Sequence, residues 1–138
     1  MKKMHYLIWL SVLVLASCAR GTAPNIIEVK ETGEKKIVVN DTSLSKKLTF
    51  GEVNLRNLGD GLEAQVIIQN STQRDVSFEY RFIWYDASGF EVSSLTAWIP
   101  STLGGMEGRG FKSVSPSNHA VNFKLMIRKP HPITDRSQ

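Results

Sequence analysis

The stretch from Val76 to Val92 (VSFEYRFIWYDASGFEV) most constrains what this chain can become, and it holds half of the aromatic residues. Val76, Phe78, Tyr80, Phe82 and Trp84 alternate with Ser77, Glu79, Arg81 and Ile83. A period of two places the first set on one face of a β-strand. Asp86-Ala87-Ser88-Gly89 follows as a turn, because Asp accepts backbone N–H bonds and Gly takes φ > 0 without steric cost. Phe90 and Val92 restart the alternation, so the stretch predicts the central hairpin of a β-domain.

The flanking sequence carries the same signal. Ile37-Val38-Val39 is a short β-branched run closed by Asn40-Asp41. Leu48 and Phe50 alternate, the phase slips at Gly51, and Val53 and Leu55 resume it, the mark of a β-bulge. Leu62, Ala64, Val66 and Ile68 alternate with Glu63, Gln65, Ile67 and Gln69 after a glycine turn at 58–61. Leu95 to Ile99 extends toward Pro100, and Phe111 to Val114 is a further short strand. Ala120 to Arg128 closes the domain, with Val121, Phe123, Leu125 and Ile127 on one face and Asn122, Lys124 and Arg128 on the other. About seven short strands with regular turns predict an all-β, immunoglobulin-like antiparallel β-sandwich over residues 37–128. A small closed barrel is the alternative.

The N-terminus reads as an address. Lys2 and Lys3 precede the apolar run Tyr6 to Ala16, shorter than the about 20 residues of a membrane span but of the length of a signal-peptide core. Its end, Leu15-Ala16-Ser17-Cys18, resembles the lipobox of bacterial lipoproteins. The resemblance implies cleavage after residue 17 and acylation of the Cys18 thiol; an ordinary secretory leader with a chance cysteine is the alternative. Cys18 is the one cysteine of the chain, so no internal disulfide is available, and lipidation would explain its presence in an exported domain. Two or more acyl chains hold a protein stably on a membrane. Ala19 stands where the inner-membrane retention signal has Asp, so the expected location is the periplasmic face of the outer membrane. Residues 18–36 are polar with few residues to bury and are expected to form a flexible tether reaching ~60 Å. An edge strand at 25–29 is the alternative, and 129–138 is expected to be a frayed tail.

Signals for chemistry are sparse. The net charge of +4 falls to +2 without Lys2 and Lys3, and it is spread along the chain, so nucleic acid is not an expected partner. His5 lies in the leader, and His119 and His131 sit in loops without the spacing of a metal site or a nucleophile–base pair. The glycine-rich segment 104–110 lacks the Lys-Ser/Thr ending of a phosphate loop and reads as a mobile loop. No cofactor, metal or catalytic residue is expected. A surplus does stand out. Near its end the central strand is apolar on both faces, with Ile83 and Tyr85 opposite Phe82 and Trp84, and Trp98 follows. Either a loop or the linker covers the second face, or Arg81, Ile83, Tyr85 and Trp98 form a patch for a protein partner. A glycan or small-molecule site, possibly hydrolytic, near Trp98 and the 104–110 loop is the competing expectation.

Tyr80-Arg81-Phe82-Ile83-Trp84-Tyr85-Asp86-Ala87-Ser88-Gly89, supported by Val39-Asn40-Asp41 and by Pro116, Ala120 and Phe123-Lys124-Leu125, resembles the YcfL family of small periplasmic lipoproteins of Gram-negative bacteria. The likeness spans Val39 to about Arg128, and Ser115 departs from it where the family favours Ala. The resemblance implies a sandwich-type domain on a lipid anchor and carries over no catalytic residue.

Overall fold

The structure is a computed structural model and describes residues 23–29, 35–38, 40–92 and 97–131. In chain order these form β1 (Asn25–Val29), β2 (Lys35–Val38), α1 (Thr42–Ser45), β3 (Leu48–Asn57), β4 (Leu62–Asn70), β5 (Val76–Asp86), β6 (Ile99–Leu103), β7 (Gly108–Val114) and β8 (Ala120–Arg128). One sheet has the order β2-β1-β8-β5-β6 and the other β3-β4-β7, with every pairing antiparallel. Two separate sheets make the domain a sandwich and not a closed barrel. The strands β3, β4 and β7 occupy the A, B and E positions of an immunoglobulin domain, and β6, β5 and β8 the C′, C and F positions. The N-terminal strand β1 pairs with β8 in the place that strand G would take.

The alternation of β5 is realised as read. Val76, Phe78, Phe82 and Trp84 point inward and are buried, with Trp84 at 1% exposure. Across the interior, Phe111 of β7 lies 5.6 Å from the Phe78 ring and 4.9 Å from the Tyr80 ring, edge-on to the latter. Phe123 of β8 packs on Phe82 and Trp84 at 5.6 and 5.4 Å. These offset and tilted rings hold the centre where antibody domains place a disulfide. Trp84 buries its polar edge too: Nε1 donates to Ser113 Oγ at 3.2 Å. The bulge expected at Gly51 appears as a register shift between Phe50 and Val53.

Three expectations are corrected. The tether does not run to Lys36, because Asn25–Val29 forms β1 and residues 35–38 form β2. β1 is no edge strand either. It lies between β2 and β8, so both edges of its backbone are hydrogen-bonded, and Ile27 and Val29 are buried at 1% and 2% exposure. Secondly, the return at Phe90 and Val92 is a short hairpin end and not a full strand within the described residues. Asp86 N donates to Phe90 O and Val92 N to Trp84 O, both at 2.9 Å, around the bridge of Tyr85 to Glu91. Val92 packs on the core, and Phe90 is 72% exposed. The neighbours of β5 are β8 and the later β6. Thirdly, the loop after β6 is a pinned turn. Glu107 Oε2 accepts from Gly104 N at 2.8 Å, Met106 N donates to Thr72 O at 2.8 Å, and Asn70 Nδ2 donates to Gly104 O at 2.8 Å. The leader, Cys18 and residues 132–138 lie outside the described residues.

Candidate functional site

The outward residues of β5 are Ser77, Glu79, Arg81, Ile83 and Tyr85, at about 6.6 Å spacing along the strand. β8 supplies their cross-strand partners: Arg128 opposite Glu79, Met126 opposite Arg81, Lys124 opposite Ile83 and Asn122 opposite Tyr85. β1 continues the face with Ile26 beside Met126 and Glu28 beside Lys124. This exposed side of the five-stranded sheet therefore mixes apolar, aromatic and charged groups on three rigid strands.

The four residues singled out in the sequence share this face but do not form one contiguous contact. Trp98, half-buried just before β6, receives two cations. The Arg128 guanidinium carbon lies 4.1 Å from its ring centroid and that of Arg81 4.6 Å. Cation–π contacts of this kind hold a large ring in a fixed orientation while leaving part of it to solvent. Arg128 is also tied to Glu79, Nε to Oε2 at 2.7 Å. Arg81 has no carboxylate partner among the described residues; one nitrogen lies 3.6 Å from Met126 Sδ, and its buried Nε makes no hydrogen bond. Two residues along, Ile83 is only 6% exposed, so it fills the face and presents nothing to a partner. Tyr85 sits under Lys124 Nζ at 4.8 Å, and Lys124 in turn approaches Glu28 at 3.9 Å. Burial pushes the Tyr85 phenol above its ordinary pKa, the carboxylates of Glu91 and Glu28 add to this, and Arg81 opposes it. Tyr85 is thus a neutral hydrogen-bonding group at physiological pH.

The sequence pattern did not reveal Arg128, Lys124 and Glu79 as parts of this cluster. The polar phase of β8 was legible, but the pairing of β8 with β5 is a matter of topology. A shallow recess of about 120 Å³ beside Tyr85 is lined by Glu28, Gly89, Asn122, Phe123 and Lys124. Another of about 170 Å³ on the three-stranded sheet is lined by Asn54, Arg56, Glu63, Gln65 and Lys112, with Arg56 and Glu63 paired. Both are smaller than the usual small-molecule cleft. Trp98 and the 104–107 turn lie at opposite ends of β6, about 17 Å of strand, so no single mouth contains both. Histidines 119 and 131 are exposed, and no group of three metal-ligating side chains occurs among the described residues.

An eight-stranded antiparallel sandwich of immunoglobulin-like order, with a cation–aromatic row on its larger sheet, is the class that fold and site define. The family model described as "Protein of unknown function (DUF1425)" matches residues 35–129, and the chain belongs to that family. A crystal structure of a DUF1425 family member from Shewanella sp. pv-4 superimposes with a TM-score of 0.56 at 20% identity, over 80% of this chain and 93% of that one. Campylobacter jejuni cj0090 superimposes with a TM-score of 0.50 at 18% identity, over 57% of this chain and 83% of that one. At these identities the likeness concerns the fold. No curated protein matches the chain in sequence.

Proposed function

We propose that this chain is an outer-membrane lipoprotein of the YcfL type, held on the periplasmic face by lipid on Cys18. Its sandwich acts as a non-catalytic module that binds another protein of the cell envelope. The observation that carries this reading is the row on the five-stranded sheet: Trp98 between Arg81 and Arg128, and Tyr85 beside Lys124. Large aromatic rings and arginines are the residue types that dominate protein-binding hot spots, since each covers much area at little entropic cost. Here the strands already fix them, so little ordering remains to be done on binding. Arg81, without a carboxylate of its own, suits an acidic side chain on the partner. Ile83, at 6% exposure, fills the face between Arg81 and Tyr85.

The test is a comparison of Trp98→Ala and Tyr85→Ala with the unaltered protein. Both sites are on the surface, so each variant is expected to keep its circular dichroism and melting temperature while losing its bound envelope protein. A folded variant that keeps every association would count against this face.

A further inference from the structure

The end of the sandwich from which β1 departs has a defined charge. Asn25, the first residue of β1, is 1% exposed and clamped in place. Its Oδ1 accepts from the backbone N–H groups of Asn40 and Asp41 at 2.7 and 2.6 Å, and its Nδ2 donates to Asp41 O at 3.2 Å. Asn40 Nδ2 also donates to Pro24 O at 2.6 Å. The incoming chain is therefore fastened to the residues that start α1. One turn later come Lys46 and Lys47, both exposed. Lys47 O accepts from Ser71 N at 2.8 Å, which brings the β4–β5 connection and its exposed Arg74 to the same end. Lys129 stands there too, paired with Asp41 at 3.2 Å. No ion pair among the described residues involves Lys46, Lys47 or Arg74. The far end carries Asp60, Asp86 and Glu91. Among the described residues, the end where the chain enters carries Lys46, Lys47, Arg74 and Lys129 against Asp41 and Asp75 and is positive on balance, while the opposite end is acidic.

From Cys18 to Asn25 the chain can span at most about 25 Å. We propose that the α1 end of the sandwich lies against the bilayer, with Lys46, Lys47 and Arg74 on the phosphates of anionic phospholipid headgroups. This rests on the reading of Cys18 as the lipid anchor. A short tether leaving from the basic end keeps these cations within reach of the surface potential, where each lysine adds to membrane affinity. It also aims the acidic end away from the bilayer and leaves the five-stranded sheet accessible from the side.

The full-length protein is mixed with phosphatidylcholine vesicles, with and without phosphatidylglycerol, and its amines are labelled with a water-soluble reagent. Peptide mass spectrometry then gives the labelling rate at each lysine. Lys46 and Lys47 are expected to slow about fivefold or more on the anionic vesicles, to recover in high salt, and to differ in this from Lys112 on the three-stranded sheet. Lys46→Glu combined with Lys47→Glu should abolish the salt-sensitive part of the vesicle association. Unchanged rates at Lys46 and Lys47, or equal slowing at Lys112, would overturn the contact. The intact mass of the protein from cells reports acylation of Cys18 separately. An unacylated protein that still shows salt-sensitive protection would sink the anchor and keep the headgroup contact.

Discussion

Asp41 joins three parts of the chain. Its carboxylate caps α1, accepting from Ser43 N at 2.9 Å and Leu44 N at 3.3 Å, its backbone N–H is held by Asn25, and Lys129 pairs with it. Burial works to raise its pKa. The hydrogen bonds from Ser43, Lys129 and the two backbone N–H groups outweigh that and hold the carboxyl below its ordinary value. A depressed carboxylate stabilises the fold at pH values above its unfolded pKa, and that contribution is lost as pH falls through the lower folded pKa. Asp41→Asn keeps a capping oxygen but removes the charge. Its deficit in urea stability is expected to be full at neutral pH and to vanish in acid below the usual Asp range, whereas a deficit independent of pH would contradict the assignment. Asp41→Ala should cost about 1 kcal/mol more at neutral pH through loss of the cap. Trp84 is the other decisive residue. It is nearly fully buried, packed on Phe123 and hydrogen-bonded to Ser113, so Trp84→Ala should cost about 3–5 kcal/mol by urea denaturation.

At the scale of the elements, β5, β4 and β8 were legible in the sequence because each alternates strictly over a long run and buries one face. In sequence β1 reads as tether, because only three of its residues are apolar and it follows a proline. What makes it a strand is the slot between β2 and β8 and the buried polar clamp of Asn25, and neither leaves a mark in local pattern. Asn25→Ala should leave two backbone N–H groups without their acceptor, cost about 1–3 kcal/mol, and raise hydrogen exchange in β1 before the rest of the sheet. Uniform exchange across the sheet would mean that β1 does not depend on the clamp. Glycine density likewise misled at 104–110. A Cβ on Gly105 would lie 2.3 Å from the Gln73 carbonyl oxygen, so this glycine is there for close packing of two turns. Gly105→Ala is expected to lower stability by about 1–3 kcal/mol, with the change in urea midpoint as the measure.

For the whole molecule, the all-β sandwich class followed from the sequence, while the strand order and the pairing that assembles the candidate face did not. Arg81, Tyr85 and Trp98 were visible as a surplus on β5 and just before β6. Lys124 over Tyr85 and Arg128 over Trp98 come from β8, 39 and 30 residues further on, and sequence pattern alone does not tell which strands become neighbours. Fold, cation–aromatic row and the basic end at β1 fit the proposal of a domain that stands close to a membrane and offers one sheet sideways to a partner. The most direct test of that claim is site-specific photo-crosslinking at Trp98 and Tyr85 in intact cells, with mass spectrometry of the adducts. One dominant envelope protein joined at both positions, and absent from a control at Lys112, is the predicted result. No adduct at either position, or the same spread of adducts at Lys112, would contradict it.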